Sequence, residues 1–270
     1  MAVKSEPEMK ISILASGSSG NVTYVETPKR KILIDAGLSG KKIKNLLKSI
    51  GRSMDDIDTI LVTHEHSDHI KGLGVLARQY GVDIYANEKT WQAIGDKCGH
   101  IDTDLRHHLE RGELLTLDDL DVLSFGVSHD AAEPQFYAFQ KGGKRFAMLT
   151  DLGYVSDAQR QMLANCDAYL MESNHDIDML RMGRYPWHLK QRILSDNGHL
   201  SNEASAEAMS EMVGDQTKNI YLGHLSKDNN MPEIAYQSFT QTLKAHGKEP
   251  GFDFKVENAS PDKATPLLSL

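Results

Sequence analysis

Short apolar runs alternate with longer amphipathic ones along the whole chain. Lys10 to Leu14 reads as a strand, a Gly/Ser-rich loop follows from Ala15 to Asn21, and the strand pattern resumes over Val22 to Glu26. Lys31 to Ile34 is another strand, ending at Asp35-Ala36-Gly37. Ile43, Leu46, Leu47 and Ile50 then recur at helical spacing. Lys41, Lys42, Lys44 and Lys48 fill the opposite, solvated face, and Gly51 marks the stop. Ile57 to Val62 has the pattern of a buried strand. Helices are predicted over Leu73–Tyr80, Glu88–Ile94, Asp157–Leu163, from the cap Ser201 to Val213, and from Pro232 to near Gly247. Strands are predicted over Asp83–Ala86, Glu113–Leu117, Asp121–Val127, Ala168–Met171 and Ile220–Leu222. Gln135–Gln140 and Lys144–Leu149 flank Lys141-Gly142-Gly143, a hairpin signal. The tail from Glu257 carries little pattern. Alternating strands and helices, with hairpins among the strands, predict an α/β (α+β) protein of mixed sheets covered by helices.

Composition narrows the class. The 270 residues are 40% hydrophobic and 25% charged, ordinary for a soluble globular protein with ample core. No apolar run approaches a membrane span. Residues 1–8 are polar and read as a disordered extension, leaving 9–270 as a single domain. The two cysteines, Cys98 and Cys166, are far apart and in no Cys-x-x-Cys pattern. A disulfide framework is excluded, and a reducing cytoplasm is the expected location. The net charge of −8 excludes a globally basic nucleic-acid binder, so any polyanion substrate must be held by a local patch and by metal ions. Oligomeric state is not legible.

The chemistry concentrates in Thr63-His64-Glu65-His66-Ser67-Asp68-His69, directly after the apolar run 57–62. Four side chains of metal-ligand type within six residues are costly to crowd together unless a cation sits among them. Three further strand ends repeat the pattern: His129 follows strand 121–127, Asp151 follows strand 144–149, and His224 follows strand 220–222. Strand ends of layered α/β proteins converge on one edge, where sites are built. Five His and two Asp suit two divalent ions, with water completing the shells and Asp151 as the bridging candidate. The donors accept Zn, Mn or Fe and do not choose among them.

With these residues in place, the sequence resembles the metallo-β-lactamase superfamily, whose HxHxDH signature matches residues 64–69. The resemblance runs from the loop Ala15-Ser16-Gly17-Ser18-Ser19-Gly20-Asn21 to His224-Leu225-Ser226-Lys227-Asp228-Asn229-Asn230. Glu172-Ser173-Asn174-His175-Asp176 and Gly198-His199-Leu200-Ser201-Asn202 point within it to the YycJ/WalJ (VicX) group, encoded beside a cell-wall two-component system. The resemblance implies a four-layer αββα sandwich with a dinuclear centre. It implies that His64, His66 and His129 bind one ion, that Asp68, His69 and His224 bind the other, and that Asp151 bridges. It further implies a nuclease acting on DNA with 5′-to-3′ exonuclease activity. Lactamases of the best-known class carry Cys where Asp151 stands, which disfavours lactam chemistry.

The remaining candidates carry two readings each. His199 either protonates the leaving 3′ oxygen or simply precedes the helix after Ser201. Glu172, His175 and Asp35 either orient ligand histidines or fix their own turns. Arg181, Arg184, Tyr185, Trp187 and Lys190 lie in a basic stretch with interleaved aromatics, suited to single-stranded nucleic acid or else a solvated loop. The Gly/Ser loop lacks the lysine and helix of a P-loop, so a tight connection is expected there. The other histidines, among them His100, His107, His108, His188 and His246, read as surface residues. The expected reaction is phosphodiester hydrolysis, with Asp68 accepting a proton and His199 assisting the leaving group. A small-molecule diester or ester hydrolase, and a regulatory interaction protein with a structural metal site, are the rival readings.

Overall fold

The computed structural model of the chain describes residues 9–270. The extension expected over 1–8 lies outside the described residues. The first half builds strands β1 (Lys10–Ala15), β2 (Val22–Glu26), β3 (Lys31–Ile34), β4 (Thr59–Leu61), β5 (Asp83–Ala86) and β6 (Arg106–His108). The second half builds β7 (Leu114–Leu117), β8 (Leu120–Gly126), β9 (Gln135–Lys141), β10 (Lys144–Leu149), β11 (Ala168–Glu172), β12 (Asn219–Gly223) and β13 (Lys255–Asn258). A last strand, β14 (Leu268–Ser269), returns to pair with β1. Two seven-stranded sheets result, ordered β14-β1-β2-β3-β4-β5-β6 and β13-β12-β11-β10-β9-β8-β7. Each is mixed: antiparallel around its hairpins, and parallel over β3–β6 in one and β10–β13 in the other.

Alternation along the strands explains the layering. Ile11, Ile13, Val25, Ile32 and Ile34 face the second sheet and meet Phe136, Phe139 and Phe146 in one core. Their neighbours Leu14, Tyr24, Leu33, Ile60 and Val62 face the other way, onto helices α1 (Gly40–Ser49), α2 (Ser67–Ile70), α3 (Leu73–Tyr80) and α4 (Glu88–Ile94). The second sheet is backed by α5 (Asp157–Met162), α6 (Ile177–Met182), α7 (Trp187–Ile193), α8 (Asn202–Met212) and α9 (Pro232–Ala245). Among these, α8 and α9 pack on each other through the Met209 and Phe239 side of the core. The expected helix–sheet–sheet–helix sandwich is what the chain forms. Each fully buried Leu, Ile or Phe contributes roughly 1.5–3 kcal/mol, so this double-sided burial is the main stabilising term.

Strand register prepares the functional edge. Ile34 pairs with Leu61, so Asp35 and Val62 leave the first sheet side by side. Leu149 pairs with Met171 and Glu172 with Gly223, so Asp151, Glu172 and His224 leave the second sheet together. The ligand segment is also pressed against the first sheet. Asp68 O accepts from Asn21 N at 2.8 Å, and His69 O accepts from Ala36 N at 2.7 Å. Only glycine fits at 37, because a Cβ there would lie 1.6 Å from Asp68 O.

Several elements differ from expectation. The His-rich segment carries a helical turn that the sequence did not predict: Ser67–Ile70 forms α2, with His66 at its cap position. That turn aims Asp68 and His69 differently from His64 and His66. Residues 177–193 form two short helices, α6 and α7, where the sequence shows only a basic stretch. The strands β6, β13 and β14 carry no local signal. They are short, and β14 exists through long-range pairing such as Lys10 with Ser269.

Away from the site, Glu26 closes an ion cluster at the opposite strand ends. Arg52 Nε and Nη2 donate to it at 2.5 and 2.6 Å, Tyr24 donates at 2.6 Å, and Lys10 lies 3.3 Å away. Burial pushes the Glu26 carboxyl up, but the Arg52 and Tyr24 hydrogen bonds and the Arg52 charge outweigh it and bring it down to about 2. A depressed carboxylate stabilises the fold above its unfolded pKa, and that contribution is lost as pH falls through the folded value. Glu26→Gln is expected to lower stability at pH 7 by about 2–3 kcal/mol. Urea melts should show the gap to wild type closing between about pH 4.5 and pH 2. A gap independent of pH would refute the ion-cluster account.

Candidate metal centre

Four strand ends, those of β4, β8, β10 and β12, deliver the candidate ligands to one spot. Ligand-type atoms of His64, His66 and His129 lie within 4.8 Å of one another, as do those of Asp68, His69 and His224, and those of His64, His69 and Asp151. All seven candidate ligands therefore belong to one connected cluster. His64, His69, Asp151 and His224 are buried, while His66, Asp68 and His129 are half-buried and form its open side.

Hydrogen bonds from the far side of each ring decide which nitrogen faces inward. His69 Nδ1 lies 2.7 Å from Asp35 Oδ2, and His224 Nδ1 lies 3.1 Å from Glu172 Oε1. An imidazole N–H facing a carboxylate donates, leaving Nε2 with its lone pair toward the centre. Thr63 Oγ1 donates to Asp35 Oδ2 at 2.9 Å, which leaves it to accept from His64 Nδ1 at 3.0 Å. His129 Nδ1 donates to Gly198 O at 3.3 Å. These four rings present Nε2. His66 alone presents Nδ1, which sits 3.1 Å from His64 Nε2. Two lone pairs at that distance repel unless a cation lies beside both.

Asp151 stands between the two halves. Its Oδ2 is 3.3 Å from His69 Nε2 and its Oδ1 is 3.3 Å from His224 Nε2. Both Asp151 Oδ2 and His224 Nε2 are buried without a hydrogen-bond partner among the described residues. Such atoms are costly unless a ligand satisfies them. The electrostatics agree. Burial drives His64 well below the usual histidine range, with the His69 charge adding to it, so it is neutral and ready to bind. Burial opposes charge on His224, but Asp151, Asp68 and Glu172 outweigh it and raise the ring to about 10. His69 is pushed well up against burial by Asp35 and Asp151. The carboxylates thus demand positive charge at this spot, and divalent cations on an imidazole–carboxylate donor set supply it.

The surrounding residues sort the earlier alternatives. Asp35 grips His69 and also accepts from Thr63 N at 2.8 Å. Glu172 Oε1 serves His199 Nδ1 at 2.7 Å as well as His224, while its Oε2 accepts from the backbone of Leu152 at 3.0 Å and Leu200 at 3.3 Å. His199 is held half-exposed at the rim, its ring 5.2 Å from those of His129 and His224. His175 orients no candidate ligand among the described residues: it is buried, and neither ring nitrogen has a hydrogen-bond partner among them. Burial brings it down to about 4, and its backbone bridges to Ser201.

The basic stretch divides. Arg181, Arg184 and Trp187 are exposed, and Tyr185 donates to Asp228 at 2.9 Å. Lys190 is instead buried, with Nζ donating to the carbonyls of Arg181 and Gly183 at 2.6 and 2.7 Å. It holds the turn between α6 and α7 and is not free for phosphate. Sequence reasoning missed Thr63, Asn21, Ser16 and Asn174, whose bonds hold the ligands; only their adjacency to the quoted motifs could have flagged them. It also missed Glu65, which accepts from Ala132 N at 2.9 Å and ties the 64–69 segment to the loop carrying His129.

Residues 30–224 match the family model described as a β-lactamase superfamily domain. The chain belongs to the metallo-β-lactamase superfamily. It is 57% identical to exodeoxyribonuclease WalJ of Streptococcus pneumoniae over 98% of this chain and 100% of that one. To exodeoxyribonuclease YycJ of Bacillus anthracis it is 51% identical, covering 96% of this chain and 98% of that one. The crystal structure of the metallo-β-lactamase fold protein YhfI from Bacillus subtilis superposes with a TM-score of 0.71 at 16% identity, covering 96% and 99% of the two chains. That last likeness shows the fold. As a superfamily member the protein is a metal-dependent hydrolase.

Asp35→Asn removes the charge that orients His69 while keeping its shape. Binding of the ion on the Asp68–His69–His224 side is expected to weaken about 10–100-fold, as for other residues that orient metal-bound histidines. Calorimetric titration of apo-protein with Zn or Mn reads this directly, and an unchanged affinity would exclude the role.

Proposed function

We propose that this chain is a cytoplasmic exodeoxyribonuclease with two divalent ions, degrading DNA from the 5′ end. The observation that carries this reading is the near full-length identity to WalJ and YycJ, both named exodeoxyribonucleases, over a stretch that contains the whole ligand cluster. In this reading His64, His66 and His129 would hold one ion and Asp68, His69 and His224 the other, with the Asp151 carboxylate available to both. Zn, Mn and Fe all suit the donors. When bound, such a pair of ions supplies a water ionised near neutral pH and neutralises charge on the phosphate.

The chain's own groups do the rest. Asp68, half-buried at the open side, accepts the proton released as the nucleophile attacks phosphorus. His199, its Nδ1 held by Glu172, offers Nε2 to the departing 3′ oxygen. Glu172 and Asp35 are positioning residues. Arg181, Arg184, Tyr185 and the 64%-exposed Trp187 contact the strand, the cations by charge and the ring by stacking on a base. A link to a cell-wall two-component system belongs to the same proposal and rests on the group alone.

The test is digestion of 5′- and 3′-labelled single- and double-stranded DNA and RNA, with each metal added back to the apo-protein. Wild type is expected to release nucleotides from DNA 5′ ends, and His66→Ala to lose that activity. Turnover of small diesters alone would sink the nuclease reading. His199→Ala should retain its metal and lose about 10²–10⁴ in kcat on DNA. It should lose far less on bis(4-nitrophenyl) phosphate, whose leaving group needs no proton. Equal losses on both substrates would argue against a proton-donor role.

A further inference from the structure

The lysines of α1 read from the sequence as an ordinary solvated face, but the fold sets a groove beside them. The helix carries Lys41, Lys42, Lys44 and Lys48 and no acid, in a chain whose net charge is −8. Lys44 stands over the Tyr80 ring, 5.7 Å from its centroid. Among the described residues none of the four joins an ion pair.

Opposite α1 runs the tail that follows β13. Thr265 N donates to Ile13 O at 2.9 Å and Ser12 Oγ donates to Thr265 O at 2.6 Å, so the tail is fastened along β1. Between helix and tail lies a groove of about 360 Å³, with Leu38, Leu46, Pro261 and Ala264 as its apolar lining. Lys42 lines it from the helix and Lys263 from the tail, and both are exposed. Leu38 and Leu46 belong to the core under the first sheet, and Ala264 packs against that core, so the lining is rigid. Asp262 is the one acid of the lining, and it accepts from Ser260 Oγ at 2.8 Å.

Both walls are rooted in the metal centre. On the helix side, Leu38 follows Gly37, which lies flush against the ligand segment where a Cβ would be 1.6 Å from Asp68 O. On the tail side, Ser260 O accepts from Ser16 N at 3.0 Å, and Ser16 Oγ accepts from His224 N at 2.8 Å. The groove therefore adjoins the Asp68–His69–His224 side of the cluster.

We propose that this groove holds a nucleotide of the DNA strand beyond the scissile phosphate, its base against the apolar lining and its flanking phosphates on Lys42 and Lys263. Charge complementarity selects the occupant. An apolar lining between two ammonium groups matches a polymer of flat bases joined by anions, and the overall negative charge makes such a local patch the place where a strand can be held. A groove of this volume falls in the range of sites that take a group the size of a small molecule. The inference rests on the nuclease reading and adds the path of the strand next to the centre.

The test measures kcat/KM on labelled single-stranded DNA relative to the rate on bis(4-nitrophenyl) phosphate, within each metal-loaded preparation. Lys42→Gln/Lys263→Gln is expected to lower that ratio about tenfold, and each single substitution partway. The slope of log kcat/KM against log salt should become shallower by about 1.4, since each phosphate contact on a single strand contributes about 0.7. Lys29→Gln/Lys97→Gln makes the same change of charge at exposed lysines outside the groove and should keep the wild-type ratio and slope. Each ratio is internal to one preparation, so a loss of folded or metal-loaded protein does not alter it. An unchanged ratio in Lys42→Gln/Lys263→Gln, or equal losses in both double variants, overturns this inference and leaves the nuclease reading intact. So does light scattering that shows a wild-type dimer split by Lys42→Gln/Lys263→Gln, because the occupant is then a second copy of the chain. A wild type inert on DNA overturns both.

Discussion

Burying several carboxylates at one sheet edge is the constraint around which this molecule is built. Asp35, Asp151 and Glu172 are each 3% exposed or less, and Asp68 sits beside them. Isolated, such groups would be too costly to ionise in the interior. Imidazoles offset part of that cost: His69 for Asp35 and Asp151, and His224 and His199 for Glu172. The residue is an unmet demand for positive charge, visible as partnerless Asp151 Oδ2 and His224 Nε2. The backbone shares in the cost. Asp35, Asp151 and His224 all take left-handed φ values, 61°, 54° and 54°, where non-glycine residues are rare. Strain of this kind persists where the surroundings over-determine it, and it clusters at sites.

The two sheets contribute by the same device. In the first, Asp35 leaves β3 and grips His69, which belongs to the segment after the neighbouring β4. In the second, Glu172 ends β11 and grips His224 after the neighbouring β12. Each anchoring carboxylate therefore stands one strand away from the ligand it orients, and parallel register sets the distance. Precision comes from the sheets, which explains why segments beyond the strand ends can bring seven candidate ligand side chains into one cluster.

This division also explains what was legible beforehand. Candidate ligands announce themselves by side-chain type and by their offset from apolar runs, so His64, His66, Asp68, His69, His129, Asp151 and His224, which the fold gathers into one cluster, could be picked out from the chain. The four-layer sandwich followed from alternating strands and helices. Orienting groups have no such signature. Asp35 and Glu172 could be named only as alternatives, because the contacts that decide them span 34 and 27 residues of sequence. Lys190 was misread for the complementary reason. A lysine in a basic stretch reads as free for phosphate or solvent, and only the geometry of two carbonyls, of Arg181 at the end of α6 and Gly183 just past it, withdraws it. His175 sits between quoted motif residues, yet its ring makes no hydrogen bond among the described residues. Proximity in sequence to a site is a weaker argument than a shared strand end.

Charge connects the site to its substrate. The chain carries a net charge of −8, so general attraction cannot bring a polyanion to it. Affinity then has to come from the ions and a few local cations, the same groups that serve the reaction. A protein with few phosphate contacts releases few counterions, so its binding depends only weakly on salt. A broad basic groove would spread its attraction along the interior of a duplex, whereas a compact metal centre concentrates it at one point.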